Sequence, residues 1–316
     1  MSEILTVTLN PTVDLSTSAP SISAGPKLRC TTPKADPGGG GINVSRAIKF
    51  LGGDSTAFIA TGGETGARLL RLIAGEGVRF TAFSVTGDTR QSIAVTDAAT
   101  GEQYRFVMPG PNWTPEMVDA SLSAIDHSVH AGGYVVLSGS QPPGVPVDYP
   151  ARLSHTLVAH GVQLFVDTSG APLHHLMNEP ANPTVLRMDD VEAEDLVGRA
   201  LPTRQDTADF ASSLVARGVA ENVIIARGAD GSTLANASGR WHCSRAVPAA
   251  EVVSAVGAGD SFVGAFTLSL ARGEDMVQAL SYGTAAAAAA VITEGTELCS
   301  AADVARFLPG CDLSTL

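Results

Sequence analysis

Gly257-Ala258-Gly259-Asp260, followed by Ser261-Phe262-Val263-Gly264-Ala265-Phe266, is the stretch on which the reading of this chain turns. Three small residues end in an acid, and an apolar pattern of helical spacing starts at once. A glycine-rich turn feeding a helix start gathers free backbone N–H groups and the positive end of the helix dipole at one point. That point suits a phosphate or a developing anion. A carboxylate there repels phosphate but can accept a proton, and an anion cradle beside a base is what phosphoryl transfer to a hydroxyl requires. The plainer alternative is an aspartate capping an ordinary helix.

A second glycine run, Gly38-Gly39-Gly40-Gly41, precedes Ile42-Asn43-Val44 and a helical stretch that ends near Gly52-Gly53. Four glycines remove every Cβ from a place where the backbone is expected to lie against a ligand. Asn43 occupies the last position of G-x-G-x-x-G, which disfavours a dinucleotide site, and no G-x-x-x-x-G-K-[ST] occurs. The seven histidines include His174-His175 but no H-E-x-x-H spacing, so they suggest no metal site.

Around these motifs, strands and helices alternate. Ile4–Leu9, Ala57–Ala60, Tyr134–Leu137, Leu164–Val166, Thr184–Leu186 and Val223–Ala226 read as short buried strands. Thr65–Gly75, Tyr149–His160 and Thr207–Arg217 read as helices between them. The order predicts a doubly wound α/β/α sandwich with its site at the strand C-terminal ends. Thr12–Lys34 and Asp88–Pro109 break the rhythm. Both are rich in β-formers, and the second reads as a hairpin turning near Thr100-Gly101. They carry Lys27, Arg29, Arg90 and Arg105, which suits a small sheet closing over an anionic substrate. The expected division is therefore a core of residues 1–11, 36–87 and 110–316 and a β lid of residues 12–35 and 88–109.

Composition bounds the partners. The 316 residues are 44% apolar and 16% charged, with a net charge of −12, which argues against nucleic acid and anionic membrane. The three lysines (Lys27, Lys34, Lys49) all fall early, so later cationic work is left to arginine. Cys30, Cys243, Cys299 and Cys311 form no C-x-x-C pair, and reduced thiols in the cytoplasm are expected. The N-terminus does not read as a signal peptide, and the apolar run from Ala285 to Ile292 is too short to span a bilayer.

Taken together, Gly38–Asn43 and Val256–Asp260 resemble the two signature regions of the PfkB group of ribokinase-like sugar kinases. Lys27–Cys30, Gln103–Gly110 and Ser138–Gly144 resemble its 6-phosphofructokinase branch, and the similarity runs from Thr6 to about Ser300. The resemblance implies a three-layer α/β/α sandwich with a mostly parallel sheet and a β lid that also forms a homodimer contact. It implies ATP and Mg²⁺, with the C1 hydroxyl of fructose 6-phosphate as acceptor; 1-phosphofructokinase and tagatose-6-phosphate kinase are alternatives within the class, and a sugar-phosphate sensor lies outside it. Asp260 matches the family's general base, and the N–H groups of Gly257, Ala258 and Gly259 its anion hole. Asp14, Gly38, Gly39 and Asn43 match sugar-binding positions. Arg90 matches a phosphate-binding arginine, Lys27 a phosphate contact from the neighbouring subunit, and Arg105 and Ser140 further substrate-side positions.

The nucleotide side departs from the pattern. Where the family carries Lys-Pro-Asn-x-x-Glu, this chain has Arg187-Met188-Asp189-Asp190-Val191-Glu192. Arg187 keeps the cation and Glu192 the residue tied to hydrated Mg²⁺. Asp189 would help if it faces metal and hinder if it faces phosphate. Gly228 and Gly231 match the phosphate-contact turn, but Ala226 replaces the usual serine. Ser254–Val256, Ala290, Thr293 and Gly295 lie where some members bind K⁺, and Thr293 and Glu297 weigh against that activation here.

Overall fold

The computed structural model describes residues 2–294 and 297–316, so Gly295 of the expected K⁺ segment lies outside the described residues. Ten strands among them form one sheet: β1 (Ile4–Thr8), β4 (Thr56–Thr61), β5 (Arg79–Ser84), β8 (Tyr134–Ser138), β9 (Gln163–Asp167), β10 (Val185–Asp189), β11 (Asn222–Ala226), β12 (Ser232–Asn236), β13 (Gly239–Ser244) and β14 (Asp312–Thr315). Their order is β14-β13-β12-β11-β10-β9-β8-β1-β4-β5. From β11 to β5 every pairing is parallel, and β12, β13 and β14 add an antiparallel edge. That edge was not foreseen; its strands carry polar residues such as Asn236, Arg240 and His242 and lack the continuous apolar run of a central strand.

The pleat sends alternate residues of each strand to opposite layers. Val135, Leu137, Leu164 and Val166 face one core, packed against Leu122 and Ile125 of α3 (Pro115–Asp126), Leu153 of α4 (Tyr149–Leu157), Leu176 of α5 (Ala171–Asn178) and Leu214 of α7 (Arg204–Ala216). Ala193 of α6 (Asp190–Val197) belongs to the same core. Val136 and Phe165 face the other core, with α1 (Gly40–Phe50), α8 (Ala258–Ala271), α9 (Met276–Ala290) and α10 (Ala301–Phe307). The helix α2 (Gly63–Gly75) closes a third cluster with Ile42, Ile59 and Val13. None of these helices is long and apolar enough to cross a membrane.

The two segments that break the sandwich rhythm build a separate four-stranded sheet, β3-β2-β6-β7. It comprises β2 (Thr12–Ala19), β3 (Lys34–Gly38), β6 (Arg90–Asp97) and β7 (Gln103–Val107). The β6–β7 hairpin turns at residues 98–102, as its sequence indicates. β3 runs to Gly38, so the small sheet extends into the glycine run itself, past the boundary expected at residue 35.

Two helices meet closely under the site. A Cβ on Gly264 of α8 would stand 2.8 Å from Ala47 Cβ and 3.0 Å from the Val44 carbonyl oxygen of α1. No side chain fits there without moving one helix. Gly264→Ala is therefore expected to cost about 1–3 kcal/mol, the scale of overpacking in a tight core. Gly75→Ala, at a helical position where a Cβ meets nothing within 4 Å, is expected to gain about 0.5–1 kcal/mol. Urea unfolding of the two variants beside the parent checks both signs.

Candidate active site

The helix α8 starts from Gly257, which sits in the left-handed region with φ of 79° and offers no side-chain cap. A Cβ there would stand 2.6 Å from Leu298 Cδ2. Asp260 is the third helical residue, so it is not the cap. The first-turn N–H groups are left without a side-chain acceptor, as an anion cradle needs.

The Asp260 carboxylate is drawn into the protein beside this cradle. Asn43 Nδ2, from α1, donates to its Oδ2 at 2.9 Å. Burial pushes its pKa up to about 7, and the negative charge of Asp167 pushes the same way, while the Asn43 bond, Arg187 and Arg46 pull it down. A carboxylate held near neutrality is suited to taking a proton and releasing it again.

Behind the loop lies a charged group that the sequence did not single out. Asp167 ends β9, where Arg187 Nη1 donates to its Oδ1 at 2.9 Å and Ser138 Oγ to its Oδ2 at 2.9 Å. The Arg187 guanidinium lies under Gly259, whose Cβ would stand 3.1 Å from Nη2. Burial works against the Arg187 cation, but Asp167, Asp260 and Glu192 outweigh it and hold its pKa above the ordinary value. Asp167 follows Leu164-Phe165-Val166 at a strand C-terminal end, and that position was the available signal.

In front of the loop is a cavity of about 540 Å³. It brings together Asp14, Gly39, Asn43, Arg90, Arg105, Gly257 and Asp260. Burial raises the Asp14 pKa, against a hydrogen bond from Thr12 and the charges of Arg90 and Arg105. Burial also lowers that of Arg90. The Arg90 guanidinium is fixed by two bonds to the Asn10 carbonyl, at 3.3 and 3.1 Å, and one to that of Met108 at 3.3 Å.

The glycine run serves the protein's own atoms as much as a ligand, which corrects the simple reading of four bare positions. A Cβ on Gly38 would stand 2.0 Å from Asp14 Oδ2, one on Gly40 2.4 Å from Ser138 Oγ, and one on Gly41 2.6 Å from the Val7 carbonyl oxygen. Gly38 thus makes room for the Asp14 carboxylate and does not line the cavity. Only Gly39 of the four lines it, with φ of 118°.

Other expected site residues lie outside that cavity. Ser140 lines a neighbouring one of about 440 Å³, and its Oγ accepts from Asn10 Nδ2 at 3.1 Å. Asn10 therefore links Ser140 to Arg90. Lys27 is exposed on the loop between β2 and β3. Asp189 caps α6, its Oδ1 accepting from the Glu192 N–H at 2.8 Å. Glu192 Oε2 in turn accepts from the Asp189 N–H at 2.9 Å, and burial raises the Glu192 pKa. Gly231, with φ of 104°, packs where a Cβ would stand 2.1 Å from the Cys243 carbonyl oxygen, whereas Gly228 faces open space. Between them Asp230 is held down to about 2, chiefly by its hydrogen bond from Arg204.

This fold and site define a carbohydrate kinase, and the chain belongs to the pfkB family of carbohydrate kinases, whose model matches residues 6–303. It is a phosphotransferase with an alcohol acceptor. The chain is 38% identical over 304 residues to the ATP-dependent 6-phosphofructokinase isozyme 2 of Mycobacterium tuberculosis, covering 96% of this chain and 88% of that one. It is also 38% identical over 308 residues to the Escherichia coli enzyme of the same name, covering 97% and 98%. The crystal structure of Escherichia coli phosphofructokinase-2 in complex with fructose-6-phosphate matches with a TM-score of 0.89 at 35% identity, over 98% of this chain and 99% of that one.

The raised pKa of Asp260 has a consequence for stability. The folded state binds this proton more tightly than the unfolded chain, so the contribution is full below pH ~4, the unfolded carboxylate value, and is lost as pH rises through about 7. Asp260→Asn, which mimics the protonated form, should melt a few degrees above the parent at pH 8.5. The two should converge near pH 5. Melting curves at the two pH values decide it, and an equal gap at both would mean the carboxylate is not penalised by burial.

Proposed function

We propose that the protein is an ATP-dependent sugar-phosphate kinase that transfers the γ-phosphoryl group to the C1 hydroxyl of fructose 6-phosphate. The observation that carries the reading is a single cavity lined by a near-neutral carboxylate, Asp260, by the start of α8 and by the cations Arg90 and Arg105. A substrate with one phosphate already attached is held by the arginines, whose planar forks match phosphate oxygens. Asp14 and Asn43 engage sugar hydroxyls, and the acceptor hydroxyl is brought to Asp260. The two relatives named above, both ATP-dependent 6-phosphofructokinases, support this choice of acceptor and of ATP.

In the reaction Asp260 takes the acceptor proton as the new oxygen–phosphorus bond forms and the bond to ADP breaks. The N–H groups of Gly257, Ala258 and Gly259 meet the charge on the transferring group; a donor of this kind contributes roughly 3 kcal/mol. Arg187, pinned by Asp167, supplies fixed positive charge beneath the loop. Gly228 and Gly231 shape a turn on the nucleotide side, braced by Asp230 with Arg204 and Arg227. Mg²⁺ would neutralise the nucleotide phosphates when bound. Glu192 fits it as a hard oxygen donor: burial raises its pKa, and the charges of Asp189 and Asp167 add to this, a penalty on the carboxylate that a cation relieves.

Closure of the small sheet keeps water from accepting the phosphoryl group. Its outer strand exposes Tyr104, Phe106 and Val107, the last two 57% and 64% exposed and also lining the cavity, and Leu28 lies on the β2–β3 loop. An apolar open edge of this kind beside the cavity suits pairing with a second copy, so the proposal includes a homodimer through the lid, with Lys27 reaching the partner's site. Thr293 and Glu297 weigh against K⁺, which stays outside it.

ADP release from Mg-ATP, measured with fructose 6-phosphate, fructose 1-phosphate and tagatose 6-phosphate in parallel, should be strongly stimulated by the first. Preference for another would reassign the acceptor, and stimulation by none with retained binding would indicate a sensor. Asp260→Asn should lose at least about a thousandfold in kcat with sugar-phosphate binding kept. Because the base must be ionised, kcat/KM of the parent should fall as pH drops below about 7.

A further inference from the structure

Arg46 stands one turn beyond Asn43 on α1, and 4% of its side chain is exposed. Its guanidinium is clamped by Glu76, which follows α2: Nε donates to Oε2 at 2.6 Å and Nη2 to Oε1 at 2.9 Å. Its Nη1 donates to Asn43 Oδ1 at 3.1 Å and toward the Pro37 carbonyl at 3.4 Å. Pro37 belongs to β3 of the small sheet, so the one side chain joins α1, α2 and the lid strand.

The chemistry of the groups makes this arrangement directional. An arginine has donors only, and an asparagine amide has one accepting and one donating end of nearly the same shape. With a donor fixed on one side, the Asn43 oxygen must face Arg46. Its NH₂ is then left facing Asp260, where it donates at 2.9 Å. Without Arg46 the amide can turn, and its oxygen would then oppose an ionised carboxylate and favour a protonated one.

We infer that Arg46, anchored by Glu76, is a positioning residue for phosphoryl transfer that fixes the Asn43 amide with its donor toward Asp260. This rests on Asp260 being the base. The charged groups acting on Asp260 are Asp167 from β9, Arg187 from β10 and Arg46 from α1. Exchange of Arg46 and Glu76 together keeps the net charge and removes both the hold on the amide and the direct pull of the Arg46 cation on Asp260. Replacement of a buried ion pair by apolar side chains of similar size is commonly neutral or stabilising, which makes the double variant a fair test of role and not of folding.

The experiment is the pH profile of kcat/KM for the parent, Arg46→Met/Glu76→Met and Arg46→Lys, with melting curves for each. The double variant should move the acid limb up by about half a unit to one unit, the effect of losing a hydrogen bond to the charged form together with a nearby cation. It should recover most of its activity at pH 9. Arg46→Lys keeps a donor and should stay within about 0.3 unit of the parent. A folded double variant whose acid limb coincides with that of the parent would overturn the inference and make the pair purely structural. So would a lysine variant shifted as far as the double variant. Failure of the underlying reading looks different: Asp260→Asn would keep turnover, or the parent would show no acid limb near neutrality.

Discussion

The crossing of α1 and α8 at Gly264 is the constraint from which the site follows. Helix axes can come this close only where a side chain is missing, and Gly264 supplies that gap against Val44 and Ala47. The crossing brings Asn43, near the start of one helix, to Asp260, near the start of the other. That contact of 2.9 Å joins two chain segments 217 residues apart. The glycines before and within the first turn of each helix serve the same end, since Gly38 clears space for Asp14, Gly41 for the Val7 carbonyl, and Gly259 for Arg187.

The electrostatics are arranged around scarcity. The chain carries a net charge of −12, and its site holds Asp14, Asp260, Asp167 and Glu192 close to few cations. Arg187 stands among three of those carboxylates and is held charged by them, while Arg46 is committed to Glu76 and Asn43. Neither is an ordinary surface cation waiting for a phosphate. Burial and like charge together hold Asp260 near neutrality, and the opposing pull of Asn43, Arg187 and Arg46 keeps it from rising further.

Much of this was legible in the residues. Apolar runs of strand length and the alternation with helical spacing indicated the parallel sheet, because buried parallel strands carry apolar side chains on both faces. The glycine loop with its acid stood out because few other structures need that composition. What escaped notice has a common physical character. The antiparallel edge β12–β14 has polar and apolar residues mixed, so its periodicity is weak. Asp167 meets Arg187 and Ser138 from other strands, and Arg46 is anchored by Glu76, 30 residues on; single polar residues at a strand end or on a helix face carry no local signature of such contacts. The sequence left two roles open for Asp189, and a third, capping α6, is the one its geometry shows; Asp three residues before Glu is a capping box as readily as a metal motif.

The small sheet passes into α1 through a joint of one residue. The lid strand β3 ends at Gly38 and α1 begins at Gly40, leaving Gly39, with its φ of 118°, as the only residue between them. A linker of several residues would absorb a swing of the lid as slack. Here a swing has no slack to enter: it must appear as a change of torsion at Gly39 or be passed to the first turn of α1, which carries Asn43. The small sheet is therefore geared to the helix that carries Asn43, and any swing of it reaches the residue whose amide donates to the Asp260 carboxylate.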